Sequence, residues 1–520
     1  MTQNRTNSAV PQFLRLRGWR LGCLLSALIL IPLGVYGLDQ IWPYRYRNVK
    51  PTLESVFASN IDIKTYHRTY FPHPGFVADG LVLRRRSALN LPPVGSVDHI
   101  RVDGRWIDLL LLRNRIYEVT ADGLHVVIPP VGSAANKEDF PPGSSADFTG
   151  PSTLIQQLVL RNAKLDILRV NGGRYSFPIE RLVIRDLSKS ARISYVVDMK
   201  NAMPTGDIHA KGTFGPLLAN QLGATPVTGD FSFTSVQLSD IQDLNGTLAS
   251  SGHFQGRLED IEASAQARVP DFAVSNGQPT VLAGNTTSMV NALNGDVLLR
   301  AVDLHVAKST VHLQGGMAGS PKIADFDIAI EKGRTEDLLR PFMKSASPVA
   351  GALRLHSHAH LAAAAHGSSF LQRLTMTGDL DGPAERLTDA GTEQELTAFS
   401  VRARGKHDDP GGVAADGNVL SRVGAHVAVR DGVAHISEMK FDVPGAGIDL
   451  NGIFNLSNQN VKMTGNLRMQ TNLSHVTTGW KSFLLKPLAP FFKRKDAGAV
   501  VPIVVSGSPG HYAIGQNVIH

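Results

Sequence analysis

The sequence predicts a mainly β protein that follows an N-terminal transmembrane helix. Three observations carry this expectation: a charge-free apolar run near the N-terminus, apolar residues alternating with polar ones along most of the remainder, and turn residues between those runs. With 49 Gly, 29 Pro and only 7% aromatic residues, the composition suits strands and turns without being extreme enough for disorder. At 520 residues the chain exceeds one ordinary compact core, so several domains or one elongated domain are expected.

The N-terminus comes first. Residues 1–20 carry Arg5, Arg15, Arg17 and Arg20 and no acid, which accounts for four of the seven excess positive charges. The rest is close to neutral, and nucleic-acid binding has little support. Leu21 to Leu38, LGCLLSALILIPLGVYGL, is eighteen residues without a charge, flanked by Trp19 and Trp42. That length reaches the lower range for a membrane-spanning helix, and tryptophan suits both interfaces. The run is longer than the usual ~7–15-residue signal core and lacks an A-x-A end, which favours an uncleaved anchor over a signal peptide. Cys23, the only cysteine, lies at the start of the apolar run, with Arg20 where a lipobox needs an aliphatic residue. No intramolecular disulfide is possible. The basic tail places the N-terminus in the cytoplasm and the bulk of the chain across the inner membrane, in the periplasm of a two-membrane cell.

The chain then divides by composition: a tail at 1–20, an anchor at 21–42, a first mixed segment at 43–130, a small, polar, proline-rich linker at 131–153, a central β region at 154–333, and a last β region with short helices at 334–520. VKPTLESVFAS at 49–59 reads as a short helix beside the membrane, and Trp106 to Leu112 as another. The stretches 334–344, 393–404 and 475–492 are the remaining helical candidates. Nearly everything else alternates. In GIDLNGIFNLSNQNVKMTGNLRM the apolar residues are Ile448, Leu450, Phe454 and Leu456 up to a polar SNQN tetrad, then Val461, Met463, Leu467 and Met469. This predicts a hairpin with one apolar and one wet face. Phe231 and Phe233 alternate with Ser232 and Thr234, and KIADFDIAI sets Ile323, Phe326, Ile328 and Ile330 against acids.

About two dozen such strands cannot be covered by four or five short helices. Either they pair into sandwiches or barrels with dry cores, the commoner arrangement, or the sheet curls into a trough.

Catalytic signatures are missing from the sequence: there is no G-x-S-x-G, P-loop or dinucleotide fingerprint. His356, His358 and His360 in LHSHAHLA share one strand face and have zinc-compatible spacing. With no carboxylate or cysteine close in sequence they read as a polar stripe. KHDDPGG at 406–412 lacks the ligand ladder of a calcium loop and reads as a turn. His73, between two prolines, has no paired nucleophile or acid. No cofactor and no catalytic residue is expected. In WKSFLLKPLAPFFKRK, residues Trp480, Phe483, Phe491 and Phe492 with Lys493, Arg494 and Lys495 suit either a helix capping one end of the sheet or a segment at a membrane interface.

Several passages resemble the AsmA family of membrane-anchored periplasmic proteins, grouped with TamB and YhdP. They are the anchor followed by YFPHPGFVADGLVLRR and VDHIRVDGRWIDLLLLRNRIYEVTADGLHVVIPP, then DMKNAMPTGDIHAKGTFGPL with GDFSFTSVQLSDIQDLNGTLASSGHFQGRL. KFDVPGAGIDLNGIFNL and TGWKSFLLKPLAPFFKRKDAGAVVPIVVSGSP complete the set. The resemblance implies an elongated, twisted, mostly antiparallel, groove-like β-sheet that carries phospholipid between inner and outer membrane, or helps build the outer membrane. Ile448, Leu450, Phe454, Met463, Leu467, Phe326, Ile328, Ile330, Phe231 and Phe233 would then line the groove. The alternatives are a scaffold with a dry β core for outer-membrane proteins and, third, an envelope hydrolase.

Overall fold

The computed structural model describes residues 42–516, apart from 57–58, 86–91, 114, 131–132, 140–153, 169–172, 189–191, 217–220, 320, 348, 365–367, 389–420, 444–445, 470–499 and 509–510. The anchor run 21–38, the basic tail, the helical candidates 393–404 and 475–492, and the interface residues Trp480, Phe483, Phe491, Phe492, Lys493, Arg494 and Lys495 all lie outside the described residues. No described helix is long and apolar enough to cross a membrane.

Among the described residues strand makes up 70%, and twenty-four strands join in one long mixed sheet with few short helices. The first three, β1 (Asn60–Thr69), β2 (Gly75–Arg84) and β3 (Gly95–Asp103), form a meander. β3 pairs onward with both β4 (Arg115–Asp122) and β5 (His125–Ile128). β6 (Leu154–Leu168) runs parallel to β4 and β5. A parallel joint needs a long crossover, and the connection between β5 and β6, which includes the expected linker 131–153, contains a short helix, Ala134–Asp139. From β6 onward, neighbours follow in chain order and every joint is antiparallel. They are β7 (Arg174–Leu187), β8 (Ile193–Ala202), β9 (Thr205–Phe214) and β10 (Pro226–Gln237). The two-residue β11 (Leu244–Asn245) adds only a short ladder to β13. The main sheet goes on through β12 (Thr247–Arg257), β13 (Asp260–Val274), β14 (Thr280–Asn291), β15 (Asp296–Val306), β16 (Ser309–Ala318) and β17 (Ile323–Arg334). It ends with β18 (Val349–Leu361), β19 (Leu374–Leu387), β20 (Ser421–Arg430), β21 (Val433–Val443), β22 (Ala446–Asn455), β23 (Val461–Met469), β24 (Val500–Ser508) and β25 (His511–Gln516). The ladder therefore runs unbroken across the composition boundaries at 131–153 and 333.

Local chemistry explains the turns. Asp431 and Gly432 both take positive φ, 51° and 72°, between β20 and β21. This is the two-residue turn whose twist matches the strands it joins. The SNQN tip closes through Asn455, whose side-chain oxygen accepts from the Ser457 and Asn458 amides. The hairpin registers as the alternation requires, with Ile448 opposite Leu467, Leu450 opposite Gly465, Gly452 opposite Met463 and Phe454 opposite Val461. A Cβ on Gly465 would run into the Asp449 carbonyl, so this close approach needs glycine.

The sheet is not flat. At about 4.8 Å per strand, the β10–β12 and β18–β19 connections would stand ~30 Å apart in a flat sheet. Instead the Phe370 amide donates to the Gln242 carbonyl at 3.2 Å and the Leu371 amide to Asp243 at 3.3 Å. Gln459, in the β22–β23 turn, donates to the Phe342 carbonyl at 2.8 Å and accepts from the Lys344 amide at 3.3 Å. Only coiling brings such distant strand ends together. Its local cause is the series of register shifts at Phe233/Val236, Leu299/Val302, Ile330/Gly333, Gly424/His426 and Ile436/Met439, because each extra residue bends and twists its strand.

The short helices sit at strand ends. The expected 49–59 helix forms at Tyr46–Val56, the 106–112 helix at Trp106–Leu110, and the 334–344 segment as Thr335–Leu339 followed by a 3-10 turn at Arg340–Phe342. An unexpected one-turn helix, Phe370–Arg373, is started by a capping box between Ser369 and Gln372. A dry core fills the first end of the sheet. Ile61, Phe76, Ala78, Leu81, Leu83, Val97, Ile100, Val102, Val119 and Ala121 pack with Val49 from the Tyr46–Val56 helix, and Leu53 lies against them.

Candidate functional site

The apolar face of that first core continues through the rest of the sheet. Directly opposed residues on neighbouring strands share a face, so a row can be followed from strand to strand. One row starts at Ala78 and Ile100 in the dry core and passes through Ala121, Leu160, Leu182, Val197, Ala210 and Phe231. It continues through Gly252, Ala265, Thr286, Val302, Leu313 and Ile328. Ser357, Gly378, Val427, Ile436, Gly452, Met463 and Val505 complete it. No charged side chain interrupts it. The row beside it runs Gly315, Phe326, Ala359, Met376, Val429, Ala434, Phe454 and Val461.

All ten residues expected to line a groove stand on this face. Phe231, Phe233, Phe326, Ile328, Ile448 and Phe454 are half-buried, while Ile330, Leu450, Met463 and Leu467 are buried. Ile323 is the exception to the alternation in KIADFDIAI: it sits with Asp325 and Asp327 on the other face and is 42% exposed. Its odd position puts it in phase with Asp325 and Asp327 and out of phase with Phe326, Ile328 and Ile330. Small residues recur along the floor of the face, at Gly252, Ala263, Ala265 and Ala267, then at Ser357 and Gly378. Beyond the first core the described helices meet the sheet only at strand ends, so curvature is what partly shields this face.

The opposite face is polar and organised by histidine–acid pairs across the ladder. His99 meets Asp79 at 2.6 Å, His209 meets Asp198 at 2.5 Å, His253 meets Asp230 at 2.9 Å and His312 meets Asp303 at 2.6 Å. His358 meets Asp327 at 2.9 Å, His360 meets Asp325 at 2.6 Å and His426 meets Asp379 at 2.8 Å. Each of these partners is directly opposite in register. His356 instead reaches Glu331 at 3.0 Å. An open depression of about 670 Å³ on this face is lined by His312, His356, His358 and His426 with Asp303, Asp327 and Asp379. The imidazoles are each engaged by a carboxylate, and among the described residues no three His, Cys, Asp or Glu groups are placed to hold a metal ion. The carboxylates missing near LHSHAHLA in sequence arrive from β17, which only strand register reveals. The His73 ring lies 5.7 Å from that of Tyr117, tilted by 32°.

The hydrogen bond that the His358 ring donates to Asp327, followed by the charges of Asp327 and Asp325, holds this imidazole above its ordinary 6.5. Its contribution to stability is complete below the unfolded value and is lost as pH rises through the folded one. In an NMR titration His358 is expected to change charge above 6.5, and Asp327→Asn should return it toward the ordinary value. A midpoint below 6.5 would break the pairing.

No known protein family's sequence model matches the chain, and no curated protein matches it. The fold and the two faces therefore carry the functional argument.

Proposed function

We propose that the chain is a membrane-anchored periplasmic carrier whose apolar face holds phospholipid acyl chains, assisting lipid transfer between inner and outer membrane. The observation that supports this most is the row from Ala121 to Val505, mostly apolar and free of charged side chains, half-buried over much of its length and floored by small residues. A face made to be dry would interdigitate with an opposing layer at near-crystalline density. The arrangement implies a passive mechanism: acyl chains lie on the apolar rows and the histidine–acid face meets water. Residues 21–38 sit in the inner membrane, with the basic tail in the cytoplasm. The resemblance to AsmA proteins points the same way. Phospholipid is the ligand in this reading, and no catalytic residue has a role.

The burial of Ile330, Leu450, Met463 and Leu467 favours a second reading, a non-enzymatic scaffold with a dry core that assists outer-membrane proteins. A photo-crosslinking residue in place of Phe231 or Ile328 is expected to capture phospholipid in cells, identified by mass spectrometry. The same residue in place of His253 or Asp327, on the opposite face, is expected to capture none. Protein adducts without lipid from Phe231 and Ile328 would hand the function to the scaffold reading.

A further inference from the structure

The helix Trp106–Leu110 and the turn after it are inside out. Asp108 is 5% exposed and pairs with Arg113, whereas Leu110 is 76% exposed and Leu112 92%. Ile107 and Leu111 are more than half exposed as well. A short surface helix normally turns its apolar side inward. Phe71, at the tip of the β1–β2 connection, is 90% exposed. Trp42 ties these pieces together: its ring lies 4.9 Å from Tyr70 and 5.5 Å from Trp106. Trp42 itself stands only four residues after the end of the charge-free run 21–38. Arg105, Arg113 and Arg115 are exposed around the leucines, and Arg105 lies 4.3 Å over the Tyr117 ring. Asp103 and Asp108 are buried and paired with Arg101 and Arg113.

We propose that this surface is a foot that docks on an anionic lipid bilayer, with Phe71, Ile107, Leu110 and Leu112 entering the headgroup–acyl boundary and the arginines meeting lipid phosphates. Apolar side chains flanked by arginine and tryptophan are what an interfacial segment requires. Water is a poor solvent for five exposed large apolar side chains in one place. A bilayer is the occupant because Trp42, which follows the charge-free run 21–38 closely in sequence, packs on Tyr70 and Trp106 beside the patch, and because the exposed arginines make the patch positive. The inference rests on the reading that 21–38 lies in the membrane. Docking would set the apolar face at a fixed height over the bilayer from which it takes its cargo.

The test uses the full chain in phosphatidylethanolamine–phosphatidylglycerol vesicles, with Cys23→Ser as background. An NBD fluorophore is placed through Leu110→Cys, or through Ile453→Cys on β22 as an exposed control. With nitroxide-labelled lipid, the Leu110 probe should lose about half its fluorescence, as for a side chain ~5–10 Å into the interface, and the Ile453 probe should be unaffected. Phe71→Ser with Leu112→Ser should reduce the quenching while circular dichroism stays unchanged. Chains that float with the vesicles but leave Leu110 unquenched would overturn the foot. Leu110→Cys disulfide dimers without quenching would assign the face to a second copy and also overturn it. Failure to float would remove both the foot and the anchor. Quenching at Leu110 with no lipid captured at Phe231 would leave the foot standing and sink the carrier reading instead.

Discussion

Leu81→Asp is expected to unfold the first end of the sheet, while Ile328→Asp leaves the protein folded. Leu81 is 0% exposed, opposite Ile63 on one side and Val97 on the other, inside the dry core under the Tyr46–Val56 helix. A carboxylate there has no partner and no water, and an uncompensated buried charge costs roughly 3–5 kcal/mol, a large part of the stability of most domains. Ile328 lies on the same continuous face but is half-buried, between Leu313 and Ser357. A carboxylate there keeps much of its water, and about 1–2 kcal/mol is expected, mostly from lost apolar burial. Chemical denaturation followed by circular dichroism measures the contrast. Equal losses at the two sites would mean that the face around Ile328 is covered by protein, and the carrier reading would fall with it.

Glu385→Gln is expected to stabilise the protein, increasingly so as pH rises. Glu385 is 2% exposed in β19. One carboxylate oxygen takes the Thr335 hydroxyl and the other has no hydrogen-bond partner. Burial pushes its pKa up, the Glu336 charge adds to that, and the Thr335 bond and Arg334 only partly oppose it. A raised carboxyl favours folding fully below its unfolded value, and that advantage disappears as pH climbs through the folded value. At pH 8 the wild type therefore holds a charge in a dry site or deforms to hydrate it, and glutamine does neither. A gain of about 1–3 kcal/mol at pH 8 and close to none at pH 4 follows from the desolvation of such a group. Wild type and variant must be compared at each pH, because Asp79 and Asp296 respond oppositely. Hydrogen bonds, from Thr65 first at Asp79 and from Lys322 first at Asp296, hold these carboxyls low, so their contribution is lost as pH falls. A variant no more stable than wild type at pH 8 would mean that Glu385 ionises without penalty.

Alternation was enough to place the strands wherever their apolar phase is made of large residues. The 447–469 hairpin, with its register and its tip, follows from side-chain phase and turn chemistry alone. Alternation marks β13 and β19 only weakly, and the reason is chemical. In β13 the inward phase is Ile261, Ala263, Ala265 and Ala267, and in β19 it includes Gly378 and Gly382. Alanine and glycine contrast too little with serine and threonine to mark a face. The histidine–acid pairs were illegible for another reason. His358 is 31 residues from Asp327 and His426 is 47 from Asp379, and only register brings them opposite each other.

What the sequence by itself determined was local: strand phase, hairpin turns, short helices near 49–59 and 106–112, and an apolar face larger than the helices can cover. These depend on neighbours within about ten residues, where side-chain alternation and turn preferences act directly. The tertiary structure alone decided that the strands join in one sheet and not in separate sandwiches, that the sheet meets itself in parallel at β4, β5 and β6, and that it coils until Asp243 reaches Leu371. Alternation says which side of a strand is apolar, but it is silent on which strand lies next to it. Coiling accumulates from small bends at many register shifts, each set by packing between strands, so no single stretch of sequence contains it.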